Sequence, residues 1–251
     1  MSSALVCRLL RSWFLLRRMG WLCSLSILLA YMAHAQDTTP MRYLALGDSY
    51  TIGESVAVAE RWPVQLAAQV RAQGFALGEP QIIARTGWTT DELMAALTGQ
   101  APQGPFALVS LLIGVNNQYR GRSSAEYRMQ LRQLLDTAMS LAGGRPERVL
   151  VLSIPDWGVT PFAGSSRRAA IATAIDLFNT VKREETARLG AHYVDITPLS
   201  RRALHDPTLL APDGLHPSGS MYTQWVALAL PTALHILRTE TAGASADGRK
   251  L

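Results

Sequence analysis

Five short apolar runs punctuate residues 42–196, and the longer stretches between them carry helical periodicity. Few folds accommodate that alternation. The clearest run is residues 107–113 (ALVSLLI), which reads as a strand buried on both faces. Residues 42–46 (RYLAL), 81–84 (QIIA), 148–154 (RVLVLSI) and 192–196 (HYVDI) are the other four. Between them, residues 56–73 place Val64, Leu66 and Val70 at helical spacing before Gly74. Thr89 or Thr90 can cap a helix over 91–97, and Ser123 or Ser124 one that runs to Leu141 and ends at Gly143-Gly144. Residues 167–189 set Ile171, Ile175, Phe178 and Val181 on one face and stop at Gly190, and Ser218 can cap a last helix through Leu237. Strands alternating with helices predict an α/β fold: a parallel sheet covered on both faces, with right-handed crossovers. No repeat or internal linker interrupts it.

Residues 1–35 follow another logic. Arg8, Arg11, Arg17 and Arg18 precede an uncharged, mostly apolar run at 20–32, and Ala33-His34-Ala35 places small residues around a cut before Gln36. That is the layout of a secretory signal peptide. The run falls short of the roughly 20 apolar residues a membrane span needs, although an uncleaved N-terminal anchor is the competing expectation. Arg17-Arg18 hints at the twin-arginine route, but Met19-Gly20-Trp21 fits it poorly and favours the general one. Those arginines supply most of the formal net charge of +5, so without residues 1–35 the balance is near neutral and leaves no basic footprint for nucleic acid. Both cysteines, Cys7 and Cys23, lie in the same segment. A cleaved chain would have no disulfide, thiolate metal site or cysteine nucleophile. The expected organisation is a signal peptide over 1–35, one domain over 36–238 and a loose tail over 239–251. An exported chain, periplasmic or secreted, is expected, monomeric and without a membrane span after cleavage.

In an open parallel sheet, ligands gather beyond the carboxyl ends of the strands. Gly47-Asp48-Ser49-Tyr50 follows the first run, Arg85-Thr86-Gly87-Trp88 the second and Gly114-Val115-Asn116-Asn117 the third, while Asp213-Gly214-Leu215-His216-Pro217 precedes the last helix. A serine hydroxyl needs a base to take its proton and an acid to orient that base. Asp213 and His216, three residues apart in a Gly/Pro-rich loop, can meet without help from the rest of the fold, which makes Ser49, His216 and Asp213 a candidate triad. The backbone N–H groups of Ser49 and Gly87 and the side-chain amide of Asn116 are candidate donors to an oxyanion.

These segments resemble the SGNH (GDSL) hydrolase family. Its four signature residues match Ser49 in GDSY, Gly87 in RTGW, Asn116 in GVNN and His216 in DGLHP with Asp213, and the blocks extend from residue 47 to 217. The resemblance implies a flavodoxin-like, three-layer α/β/α sandwich on a five-stranded parallel sheet, a Ser–His–Asp triad, and no metal or cofactor. It also implies hydrolysis of carboxylic esters in a small ester, lipid or acylated carbohydrate. Transfer of the acyl group to a glycan hydroxyl by the same triad is the alternative. Tyr50 stands where the family often has Leu, and Asn117 where it often has Asp. Neither change removes a catalytic group.

Other readings compete. Asp48-Ser49 could simply cap a helix. His205 is a rival base and Asp195 a rival acid. Gly114 is expected to shape the loop presenting Asn116, and Asn117 to stabilise it. Trp88, Tyr119, Trp157 and Phe162 are candidates for a substrate rim or for loop anchors, and Arg120 and Arg122 for solvated surface charge.

Overall fold

The computed structural model describes residues 40–247. The expected signal peptide, the first residues of the expected domain and the last four residues of the expected tail lie outside the described residues. Strands β1 (Met41–Gly47), β2 (Leu77–Ala84), β3 (Leu108–Leu112), β4 (Val149–Leu152) and β5 (His192–Val194) form one sheet in the order β2-β1-β3-β4-β5, with every neighbouring pair parallel. This is the flavodoxin-like order, which reverses direction between β1 and β3 and opens a crevice at their carboxyl ends.

The helices are α1 (Ser49–Ile52), α2 (Trp62–Ala72), α3 (Thr90–Gln100), α4 (Val115–Tyr119), α5 (Ser124–Leu141), α6 (Arg168–Leu189), α7 (Thr197–Ser200) and α8 (Gly219–Asp247). α2 packs against α8, and α5 packs against both α3 and α6. α5 and α8 both reach β3, whose five residues are all fully buried. That double coverage explains why β3 reads as an unbroken apolar run and not as an alternating one. Each buried leucine of the central strands contributes about 2 kcal/mol of transfer free energy. α5 and α6 are also clamped electrostatically. Arg128 and Arg132 of α5 and Arg188 of α6 all donate to the Glu185 carboxylate, at 2.6, 2.6 and 2.8 Å. The hydrogen bond from Arg132 leads in holding that carboxyl down at about 2.

Three boundaries differ from the sequence expectation by about four residues or more. The helix expected over 56–73 begins only at Trp62, after a 3₁₀ turn at Val58–Glu60, because Pro63 is tolerated only in a first turn. β2 starts at Leu77, four residues early, and includes Gly78 and Pro80. Both discourage strands, but β2 is an edge, where a missing N–H leaves no ladder partner unsatisfied. The last helix does not stop at Leu237. It continues through Asp247, so residues 239–247 of the expected tail are helical; Ala242, Ala244 and Ala246 favour the helix against the cost of Gly243, and no proline interrupts it there. Among the described residues, no helix is long and apolar enough to cross a membrane.

Candidate active site

β1 ends at Gly47, where a Cβ would lie 2.3 Å from the carbonyl oxygen of Leu112, so only glycine lets β1 turn this close to β3. Asp48 then caps α1, its Oδ1 accepting from Tyr50 N at 3.0 Å. The capping reading of Asp48 therefore holds, and it puts Ser49 at the first helical position, 5% exposed. Beneath it, burial pushes the Asp48 carboxyl up to about 7, against the Tyr50 N–H and the Lys182 charge. Burial likewise brings the Lys182 ammonium down to about 7, against Asp48. Lys182 Nζ donates to Leu152 O at 3.0 Å.

The Asp213–His216 loop is closed on itself by a bridge between Leu210 and Pro217 and by a hydrogen bond from Ala211 N to His216 O of 2.7 Å. Asp213 Oδ2 lies 2.7 Å from His216 Nδ1, while Oδ1 accepts from the backbone N–H groups of Leu215 and His216, each at 2.9 Å. Ser55 Oγ donates to Oδ2 at 2.7 Å. Burial alone would raise the Asp213 carboxyl, but the hydrogen bonds from Ser55, His216 and Leu215 outweigh it and hold the group far below the usual carboxylate range. The edge of Tyr50 meets the His216 ring, with centroids 5.5 Å apart.

Ser49, His216 and Asn116 line one cavity of about 120 Å³, with Tyr50, Val115, Tyr119, Trp157, Phe162 and Leu215 as its aromatic and aliphatic walls. Asn116 opens α4 from Gly114, whose φ of 120° and contact with the Tyr127 ring (a Cβ would come within 2.6 Å) admit no other residue. Gly114 thus shapes the turn that presents Asn116. Asn116 Nδ2 donates to Trp88 O at 2.9 Å, which commits one amide hydrogen and fixes the orientation of the other. Asn117 is buried and ties α4 to α3, accepting from Thr90 N at 3.1 Å and donating to Thr90 Oγ1 at 2.7 Å. It stabilises the loop, as its sequence position suggested.

Of the four rim candidates, Tyr119, Trp157 and Phe162 meet as a triangle of rings with centroids 5.4, 6.2 and 6.0 Å apart. Trp88 does not line the cavity; its side chain packs against the core and its carbonyl serves Asn116. Gly87 lies on the turn between β2 and α3, its carbonyl accepting from Arg120 Nη2 at 2.6 Å, and it is not a cavity-lining residue either. Arg120 also pairs with Glu92, and Arg122 with Asp91 and Glu126, so both arginines tie down surface loops. Neither rival group joins the cavity. The Asp195 carboxylate is taken by Ser153 at 3.0 Å and Arg183 at 3.0 Å, and His205 follows the 3₁₀ turn Arg201–Leu204. Among the described residues, no three His, Cys, Asp or Glu side chains cluster to hold a metal.

Sequence reasoning missed Ser55, although the effect of its hydroxyl is testable. A carboxyl held below its ordinary pKa keeps its pairing fully above the usual carboxylate range and loses it as pH falls through the depressed value. Ser55→Ala removes one donor and raises that pKa, so the pairing, and the stability it contributes, is lost at a higher pH. The rate at pH 8 falls by less than about tenfold, the scale of one exposed hydrogen bond to a charge. Melting temperature measured against pH checks the shift, and an acid limb of stability that stays put or moves down removes Ser55 from the site.

A hydroxyl, an oriented imidazole and an amide on one cavity beside the β1/β3 switch point are equipment suited to ester hydrolysis. Residues 45–224 match the GDSL-like Lipase/Acylhydrolase family, and the chain belongs to that family of ester-bond hydrolases. No curated protein matches the sequence. Solved structures with the same fold include a member of the lipolytic G-D-S-L family from Veillonella parvula (17% identity, 76% of this chain and 97% of that one, TM-score 0.58). Others are an acetyl xylan esterase from Geobacillus stearothermophilus (19%, 77% and 94%, 0.58) and an extracellular lipase from Streptomyces rimosus (23%, 76% and 97%, 0.56).

Proposed function

We propose that the chain is an exported serine esterase that hydrolyses esters of apolar acyl groups through an acyl-Ser49 intermediate. The 2.7 Å contact between His216 Nδ1 and Asp213 Oδ2, with His216 and Ser49 on one cavity, carries this reading. The contact leaves Nε2 of His216 as the basic nitrogen. His216 Nε2 takes the Ser49 proton as Oγ bonds to the ester carbon, and Asp213 stabilises the imidazolium. The oxyanion is met by the second hydrogen of Asn116 Nδ2 and by the Ser49 N–H, both on residues that line the cavity. The C–O bond to the alcohol then breaks, His216 returns its proton to the leaving oxygen, and water repeats the sequence on the acyl-enzyme.

The acyl preference rests on the lining. Apart from Ser49, Asn116 and His216, which the reaction uses, the lining is aromatic and aliphatic, and the Trp157 indole N–H is already spent on Gln118. The hydroxyls of a sugar would find few partners there beyond the phenols of Tyr50 and Tyr119, and each left unpaired costs about 1–3 kcal/mol. Export rests on residues 1–35 alone, and the N-terminal sequence of the secreted protein is expected to begin at Gln36. The decisive experiment pairs a fluorophosphonate probe with nitrophenyl esters of increasing chain length. Mass spectrometry is expected to find the label on Ser49, with kcat/KM rising from acetate to octanoate. Labelling elsewhere or none overturns the mechanism, and a preference for acetylated sugars overturns the acyl assignment.

A further inference from the structure

The segment after β4 carries two cavity walls, Trp157 and Phe162, yet has no strand ladder to hold it. It consists of short 3₁₀ turns at Trp157–Val159 and Pro161–Ala163. Its anchor is Asp156, whose side chain is 1% exposed. Asp156 Oδ1 accepts from Gly158 N at 2.9 Å, Asp156 N donates to Ser200 Oγ at 2.9 Å, and Oδ2 accepts from Arg201 Nε at 2.9 Å. Arg201 spends the other end of its guanidinium on α6, where Nη2 donates to Asp176 Oδ1 at 2.7 Å. On the far side of the same turn, Trp157 Nε1 donates to Gln118 Oε1 at 2.8 Å. Gln118 belongs to α4, the helix that also presents Asn116 and Tyr119.

The geometry points to Arg201 as the positioning residue that sets acyl selectivity, by holding Asp156 and so fixing Trp157 as a wall of the cavity. This rests on the esterase reading above. Arg201 lies outside the four signature blocks and is not among the residues that line the cavity. Its planar fork serves two carboxylates on different elements at once, which a lysine ammonium cannot reproduce with the same geometry. Without it, the buried Asp156 carboxylate loses its salt bridge. The turn must then open to water at the residue next to Trp157. An apolar acyl chain needs that wall; an acetyl group scarcely reaches it.

The test compares nitrophenyl octanoate with nitrophenyl acetate. Arg201→Met is expected to lower kcat/KM for octanoate about tenfold through KM, and to change acetate turnover less than about twofold. Acrylamide quenching of the fluorescence that Trp157→Phe removes is expected to increase. Arg201→Met added to Trp157→Ala is expected to cost nothing further, since both act through one wall. Equal losses on the two esters, an additive double variant or unchanged quenching overturns the assignment. If Arg201→Met fails to fold, Asp156→Asn/Arg201→Met, which removes the stranded charge and keeps the acceptor for Gly158, carries the same comparison. Ser49→Ala run alongside separates the failures. If it stays active, the site reading falls and this inference with it. If it is inactive while Arg201→Met keeps the wild-type ester ratio, Arg201 alone falls.

Discussion

Replacing Ser49 by alanine is expected to lower ester hydrolysis by at least about 10⁴-fold, with the fold intact by circular dichroism. The hydroxyl sits at the first position of α1, where Asp48 and not Ser49 supplies the cap, so its loss removes no structural hydrogen bond recorded for the turn. A capping role would have predicted the reverse: lost stability and retained activity. His216→Ala is expected to match the Ser49→Ala loss, and the double variant to be no worse than either. Nucleophile and base act as one unit, so their effects do not add. Steady-state rates on a nitrophenyl ester decide the matter, and a Ser49→Ala protein within tenfold of wild type would end the assignment.

Much of this was written in the local sequence. A catalytic loop such as Asp213–His216 is legible because its partners are three residues apart, so local turn chemistry suffices to join them. The central strands are legible because burial on both faces leaves unbroken apolar runs. The first half of β2 is not, because Gly78 and Pro80 carry breaker signals that only an edge position neutralises. Trp88 misleads for a related reason: sequence places it at a strand end but does not say which way a side chain points in a turn. Ser55 and Arg201 leave no sequence trace as site residues, since their carboxylate partners lie 158 and 45 positions away. Lys182 did leave one. It falls four residues after Phe178 on the apolar face of α6, a place where a lysine demands a buried acceptor, and Leu152 O supplies it at 3.0 Å.

Asn116→Ala is expected to cut kcat by about 10²–10³ with little change in KM, the usual consequence of losing one donor to a transition-state oxyanion. The hydrogen bond from Nδ2 to Trp88 O makes the amide a fixed donor and not a rotating one, so no reorganisation is needed when charge develops on the ester oxygen. The same bond gives a second, sharper outcome. In Asn116→Asp the carboxylate would face the Trp88 carbonyl, acceptor against acceptor, and would turn a negative charge toward the developing oxyanion. That variant is therefore expected to be slower than Asn116→Ala although it is nearly isosteric. If Asn116 merely fastened α4 to the turn after β2, both variants would lose thermal stability and share a modest loss of rate. Measured kcat values and melting temperatures separate the two cases, and equal rates for alanine and aspartate would remove Asn116 from the oxyanion site.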